Sequence, residues 1–287
     1  MSARVRKAVD SDVDAICQLL HAKMNRRIPV ERWRHLMTYS WLEHKPDFGR
    51  VVESDGKVEG FCGMVYADRL VGPPDNVRKE RVVSMSSWYL DKSLRGLGLG
   101  RDMLLSAIED RSLTYATLTN SRKPLAIVES LGFRILEDHR FVWNKTAASV
   151  ADVLIIDDLT FRLSTGQKEI IDDMSGLPLT PVYIECSGEQ ALLFFSVKSK
   201  GAGTIWYDLM YTSNPDLFSH CAQSLANQLL PDTPSVLAAD GRFVTGQAHS
   251  GLREPLPVGR YFISERVQAH ELDNLYSELQ LLDLKLD

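Results

Sequence analysis

The chain has 287 residues, of which 44% are hydrophobic and 25% are charged, with a formal net charge of −5. This composition is that of an ordinary globular protein, and the length allows two domains with cores of their own. No apolar run approaches the ~18 residues that a membrane span needs, and the first residues lack the apolar segment of a signal peptide. We therefore expect a cytoplasmic protein without a membrane partner.

Charge is unevenly distributed along the chain, because residues 1–150 carry a net +5 and residues 151–287 a net −10. The positive half could attract a small polyanion, but it has no basic stripe interleaved with aromatics, so no nucleic-acid partner is expected. The alternative explanation is that the charged side chains of both halves are simply solvated and that their uneven distribution has no role in binding.

Four cysteines lie far apart with no metal-ligand spacing, which predicts buried thiols and no metal site: Cys17, Cys62, Cys186 and Cys221.

Strand and helix patterns alternate in the first half, which predicts an α/β domain. The turn signal Ser54-Asp55-Gly56 predicts a hairpin, and a closing pair of strands with a turn near Asp138 ends the half. In chain order the expected elements are a strand at 3–9, a helix capped by Asp10 or Ser11, a helix after Pro29, strands at 50–54, 58–66 and 81–90, a helix containing Met103 to Ile108, a strand at 113–119, a helix at 126–130 and the closing pair within 133–144.

Residues 94–104 read LRGLGLGRDML and place three alternating glycines between a predicted strand and a predicted helix. Glycine is unfavourable inside either element, so the segment is expected to be a backbone surface that a ligand approaches closely. Helix N-terminal amides suit phosphate. A Rossmann GxGxxG would need glycine where Arg101 stands, and the GK[ST] of a Walker A loop is absent. The pattern [RQ]xxGxG remains, and Arg95, Gly98 and Gly100 meet it.

With this motif the sequence resembles the GNAT acyltransferases over about residues 3–145. The resemblance rests on four features in register: RKAVDSD at the first strand and helix, GKVEGF at the central strand, YLDKSLRGLGLG at the glycine loop, and SLGF at 130–133. It implies a GNAT fold of the α/β (α+β) class, in which a mixed central sheet is flanked by helices. It also implies acetyl-CoA, or another acyl-CoA, as the co-substrate.

The resemblance also implies which residues would bind the co-substrate. The backbone of the loop would wrap the CoA pyrophosphate, with Arg95 stabilising the loop or the phosphates, and the end of the preceding strand would splay to bind the pantetheine arm and polarise the thioester carbonyl. The implied cofactor-binding residues are Trp88, Tyr89, Leu90, Arg95, Gly96, Leu97, Gly98, Leu99, Gly100, Arg101 and Ser121.

The sequence departs from the family where an acid and a base are usually found. The strand before the loop reads Ser84-Met85-Ser86-Ser87 with no carboxylate, and Val128 stands where many members place a tyrosine. No catalytic residue is therefore assigned. Substitutes acting through water would be Tyr89, Tyr115, Ser121 or His139, although a packing or solvated role fits each of them.

The second half repeats the order of strands and helices without the glycine loop, since YTSNPD stands at the corresponding junction. We therefore expect two domains, a GNAT acyl-CoA-binding domain at 1–148 and an acidic, degenerate GNAT-like domain at 149–287. The alternative for the second half is an unrelated α/β appendage.

The acidic half could attract a cationic acceptor through Glu254, Glu265 or Glu278, or these groups could simply be solvated. Leucines at 272, 275, 279 and 282 fit a packing helix, a final strand or a homodimer contact.

Three functions follow as hypotheses. The first is an acyl-CoA-dependent N-acyltransferase acting on a small-molecule amine, for example an amino sugar or sugar nucleotide, whose low pKa would tolerate the missing base. The second is a catalytically impaired acyl-CoA sensor or scaffold, favoured by Val128 and the serine-rich strand. The third is a protein acetyltransferase, which a long second domain would tend to obstruct.

Overall fold

The computed structural model describes residues 3–73, 76–147, 152–156, 161–246 and 250–286. Its contacts define two compact units, each built from separate stretches of the chain. Unit 1 comprises Met1–Leu136, Arg260–Leu272 and Tyr276–Leu284; unit 2 comprises Glu137–Gly259, Asp273–Leu275 and Lys285–Asp287. The expected boundary between 148 and 149 lies outside the described residues, and most of the last 28 residues pack in unit 1 rather than with the second half.

Unit 1 follows the predicted alternation closely. Its hairpin turns at Asp55 and Gly56, which both have positive φ (50° and 76°), as the sequence signal predicted. The strands are β1 (Ala3–Lys7), β2 (Gly49–Ser54), β3 (Lys57–Val71), β4 (Arg78–Leu90) and β5 (Thr114–Thr117). The helices are α1 (Val13–Leu19), α2 (Val30–Thr38), α3 (Leu99–Ala107), α4 (Leu125–Ser130) and, from the end of the chain, α7 (Glu278–Leu281).

Unit 2 carries the remaining elements. Strand β6 begins in unit 1 and continues here, whereas β12 begins here and ends in unit 1. The strands are β6 (Arg134–Trp143), β7 (Val153–Ile156), β8 (Thr180–Cys186), β9 (Glu189–Lys200), β10 (Thr204–Thr212), β11 (Ser235–Asp240) and β12 (Leu252–Ile263). The helices are α5 (Thr165–Met174) and α6 (Pro215–Leu229).

Both units have the same strand order. It is β1-β2-β3-β4-β5-β12 in unit 1 and β7-β8-β9-β10-β11-β6 in unit 2. In each unit the fourth and fifth strands run parallel, as β4 with β5 and β10 with β11. The last strand of each order comes from the other half of the sequence, since β12 pairs antiparallel with β5 and β6 pairs antiparallel with β11. The two halves of the sequence therefore exchange their closing strands.

The predicted closing hairpin in the first half is wrong. Residues Arg134–Trp143 form one continuous strand that runs through Asp138. A tight hairpin turn favours a pair such as Asn-Gly or Asp-Gly, and in Glu137-Asp138-His139 no glycine follows the aspartate. No residue of this strand has positive φ. The strand instead finds its neighbour in β11.

Each core includes an aromatic residue from the exchanged strand. In unit 1, Tyr261 of β12 packs with Met64, Val83 and Met103 between the sheet and helices α3 and α4. In unit 2, Trp143 of β6 packs with Phe195 of β9 and with Phe218, Cys221 and Leu225 of α6. Burial of such side chains is the main favourable contribution to folding.

The four cysteines are buried and free, as expected. None of the described helices has both the length and the apolar character required to cross a bilayer.

The strand exchange makes a prediction about a fragment that ends at residue 147. This fragment contains all of the first half but lacks β12, so β5 keeps β4 but loses its antiparallel partner, and the core of unit 1 loses Tyr261. We expect the fragment to lack the cooperative urea transition that the full chain shows by circular dichroism, and to associate through the open edge of β5. A cooperative transition at the midpoint of the full chain would contradict the structural role of the exchange.

Candidate active site: a glycine loop where two parallel strands diverge

The glycine loop joins the end of β4 to the start of α3 and is held by short-range hydrogen bonds. After β4 ends at Leu90, the Asp91 carboxylate accepts a hydrogen bond from the Ser93 amide at 3.0 Å and begins a single 3-10 turn. The Arg95 guanidinium then folds back, and its Nε donates to the Leu90 carbonyl oxygen at 3.0 Å. Arg95 thus fixes the loop to the end of the strand.

Two of the three glycines have a conformational explanation and the third does not. Gly96 and Gly98 have φ of +84° and +83°, a region that other residues seldom adopt. Gly100 lies in the first turn of α3, and a Cβ there would lie 3.5 Å from the Trp88 ring, an ordinary contact. The fold of the chain itself therefore does not require glycine at position 100. This pattern is expected if the backbone must approach a ligand closely.

The N-terminus of α3 has no side-chain cap, which it shares with α2 and which distinguishes it from α5 and α6. Gly98 occupies its N-cap position and makes no side-chain capping hydrogen bond. In contrast, Ser164 caps α5 by accepting from the Gln167 amide at 3.2 Å, and Asn214 caps α6 by accepting from the Leu217 amide at 3.0 Å. The first N–H groups of a helix have no acceptor within the helix, and together with the helix dipole they favour an anion.

Strands β4 and β5 diverge directly before this loop. Their parallel pairing covers Val82–Ser84 and Thr114–Ala116, yet β4 continues to Leu90. Within this extension Ser87 has φ of +55°, and the register against β3 shifts. Bulges of this kind re-aim a strand next to functional sites. The splayed strand end that the family resemblance implied is therefore present between residues 85 and 90.

The implied cofactor-binding residues other than Ser121 lie at the end of β4, in the glycine loop and in the first turn of α3. Trp88 and Tyr89 are half-buried and Leu90 is buried at the end of β4, whereas Leu97 is 65% exposed. The Arg95 guanidinium lies 5.8 Å from the centroid of the Tyr89 ring. Leu99, Gly100 and Arg101 form the first turn of α3 after Gly96 and Gly98, and Ser121 is exposed between β5 and α4.

The hydrogen bonds of Tyr115 and His139 join these candidate substitutes for the missing acid and base to other residues, not to each other. Tyr115 is buried, its hydroxyl donates to the Asp110 carbonyl oxygen at 3.0 Å, and burial raises its pKa to about 12. His139 belongs to unit 2, where its Nδ1 lies 2.7 Å from an Asp138 carboxylate oxygen. Burial raises the pKa of Tyr89. Val128 is part of the unit 1 core, so no acid stands at that position.

A carboxylate does reach the serine-rich strand, from the far end of the chain. Glu278 of α7 is fully buried, and its Oε2 accepts a hydrogen bond from the Ser84 hydroxyl at 2.7 Å. Of the three glutamates considered for an acceptor cleft, Glu265 is exposed and Glu254 is hydrogen-bonded by Arg140. The solvated alternative is therefore wrong for Glu278. A packing helix was one of three alternatives for its leucine neighbours at 275, 279 and 282, but no sequence signal indicated that the Glu278 carboxylate would be buried.

Comparison with known proteins agrees with this geometry. Residues 13–117 match the model of the acetyltransferase (GNAT) family. No curated protein matches the sequence. The GNAT resemblance of the first half is thereby confirmed, and the matched range contains β4, the glycine loop and α3.

Solved structures extend the likeness to both halves. A GCN5-related N-acetyltransferase from Kribbella flavida has 10% identity and a TM-score of 0.51, over 91% of this chain and 71% of that one. One from Anabaena variabilis ATCC 29413 has 9% identity and a TM-score of 0.52, over 91% and 72%. An Enterococcus faecalis V583 protein named "Probable N-Acyltransferase" has 11% identity and a TM-score of 0.54, over 94% and 74%. The predicted fold class, an α/β GNAT fold with a mixed sheet flanked by helices, is confirmed.

Gly100 gives a direct test of whether a ligand approaches the backbone at the start of α3. Gly100→Ala should raise the free energy of unfolding without ligand by about 0.5–1 kcal/mol, because alanine is the better helix former and its Cβ meets no close contact. The same variant should lose most of the thermal protection that CoA gives the wild type. The measurement is a melting curve with and without CoA. Full protection in the variant would show that position 100 does not approach the ligand.

Proposed function

We propose that the chain is an acyl-CoA-dependent N-acyltransferase which, in its simplest form, transfers the acetyl group of acetyl-CoA to a small-molecule amine. The observation that carries the proposal is the combination of an uncapped α3 with a glycine at position 100 that the chain's own packing does not require. The family match over residues 13–117 supports the same reaction class. Enzymes of this kind need mainly to position two substrates and to remove a proton.

The residues present fit such a co-substrate. The amides from Leu97 to Arg101 would hold the diphosphate, with Arg95 bracing the loop through Leu90. The backbone of β4 beyond its last pair with β5 would bind the pantetheine arm, and an N–H of this segment would polarise the thioester carbonyl. The amine then attacks the carbonyl carbon directly, without a covalent enzyme intermediate.

Unit 2 is proposed to be a degenerate GNAT-like repeat that binds no CoA. Its junction between β10 and α6 has no glycine, and the Asn214 side chain already occupies the amide of Leu217. Asp216 adds a negative charge in the first turn of α6. These features disfavour a phosphate at that helix, so one CoA per chain is expected.

A matched pair of variants tests the location of the CoA site. Gly98→Asp puts a carboxylate on the uncapped turn, and Gly176→Asp makes the same change at a glycine in unit 2 with φ of +75° and open space around it. Both should lower stability by about 1 kcal/mol, because both force a side chain into the left-handed region. Only Gly98→Asp should abolish the CoA-dependent shift in melting temperature. Equal protection of the two variants would place the diphosphate elsewhere.

Turnover distinguishes the enzyme from the sensor. Release of free thiol is followed with acetyl-CoA and a panel of amines that includes glucosamine. Thiol release that depends on one of the amines supports transfer, whereas saturable CoA binding without release on any amine would support the sensor or scaffold function.

A further inference from the structure

The C-terminal helix α7 carries polar side chains into the interior of unit 1. Ser277, Glu278 and Gln280 are each at most 1% exposed. A buried carboxylate is costly unless hydrogen bonds compensate for the lost hydration. The arrangement around Glu278 therefore calls for a role beyond apolar packing.

Both oxygens of the Glu278 carboxylate accept short hydrogen bonds. Ser84 Oγ donates to Oε2 at 2.7 Å, and Thr119 Oγ1 donates to Oε1 at 2.7 Å. Arg260 of β12 supplies a positive charge. Burial raises the pKa of Glu278, while these two donors and Arg260 act in the opposite direction. Glu278 is thus a group that can take up a proton.

The two donors lie on either side of the point where β4 and β5 part. Ser84 is the last β4 residue paired with β5, opposite Ala116, and Thr119 follows the end of β5 by two residues. Glu278 therefore bridges the base of the fork in which the thioester is proposed to lie. Ser84 is buried, whereas Thr119 is exposed, so the Thr119 hydroxyl separates the carboxylate from solvent.

We propose that Thr119 and Glu278 form a proton relay for acyl transfer, in which the Thr119 hydroxyl touches the acceptor amine and Glu278 takes the proton behind it. The inference rests on the proposed transferase function. It supplies a carboxylate next to Ser84, in the stretch of β4 from Ser84 to Ser87 that has none of its own, from a residue 194 positions away.

The step balances without any further reactant. The amine nitrogen forms a bond to the carbonyl carbon while the bond from that carbon to sulfur breaks. The amine proton moves to Thr119 Oγ1 as the hydroxyl's own hydrogen passes to Glu278 Oε1. The departing CoA thiolate then takes the proton back along the same path, which leaves the amide, the free thiol and an ionised Glu278.

The test compares Thr119→Val, Thr119→Ser and Glu278→Gln in the full chain, with acetyl-CoA and the amine of the panel that the wild type acetylates. Removing the hydroxyl or the carboxylate should lower kcat by about 100-fold, the lower range for a general base, while CoA-dependent thermal protection stays intact. Thr119→Ser keeps the hydroxyl and should retain kcat within a few-fold. Thr38→Val is the matched control, because it removes an exposed hydroxyl from α2 of the same unit, and it should match the wild type.

The pH dependence of kcat separates a relay from a structural role. In the wild type, kcat should rise with pH as the Glu278 carboxyl group loses its proton. This rise in kcat should disappear in Glu278→Gln. Ser84→Ala removes a hydrogen-bond donor that stabilises the ionised form of Glu278, so the rise in kcat should move to higher pH.

Each outcome of these experiments either supports or overturns the relay. Wild-type kcat or an unchanged pH profile in Thr119→Val or Glu278→Gln would overturn the relay and leave the transferase function standing. CoA protection without turnover of any amine would overturn both the relay and the transferase function. Loss of kcat with retained CoA protection, restored by serine at 119, supports the relay.

Discussion

The proposed function depends on main-chain N–H groups at the start of α3 that no side chain of their N-cap residue satisfies. Gly98 provides the left-handed turn and no capping group, and Arg95 fixes the loop to the Leu90 carbonyl, so the turn is shaped before any ligand arrives. A preformed site spares a ligand the cost of ordering it. These amides stabilise a bound anion because they act together with the helix dipole.

Because of the exchange of closing strands, each unit is built from both halves of the sequence. Each unit completes its sheet with a strand from the other half, and each core holds an aromatic residue of that strand, Tyr261 in unit 1 and Trp143 in unit 2. Neither half of the sequence thus contains a whole unit. The same exchange brings the C-terminal segment, with α7 and Glu278, into unit 1.

Local signals were enough to predict much of unit 1 but not its long-range partners. Hydrophobic periodicity and the Asp55-Gly56 turn specify elements within a few residues, and the glycine loop stands out because glycine is costly in both neighbouring elements. Strand partners are set by contacts between residues far apart in the sequence, as in the pairing of β5 with β12 and of β11 with β6. Glu278 was not recognisable as buried because its hydrogen-bond donors, Ser84 and Thr119, lie far away in the sequence.

The central claim is that the backbone of the glycine loop binds the CoA diphosphate, and glycine amide resonances report on it most directly. Titration of CoA into protein labelled with ¹⁵N-glycine should move the amide signals of Gly98 and Gly100 strongly and saturably, with Gly96 beside them, while Gly176 and Gly188 in unit 2 stay in place. Saturable CoA binding with the Gly98 and Gly100 signals unmoved would contradict the account.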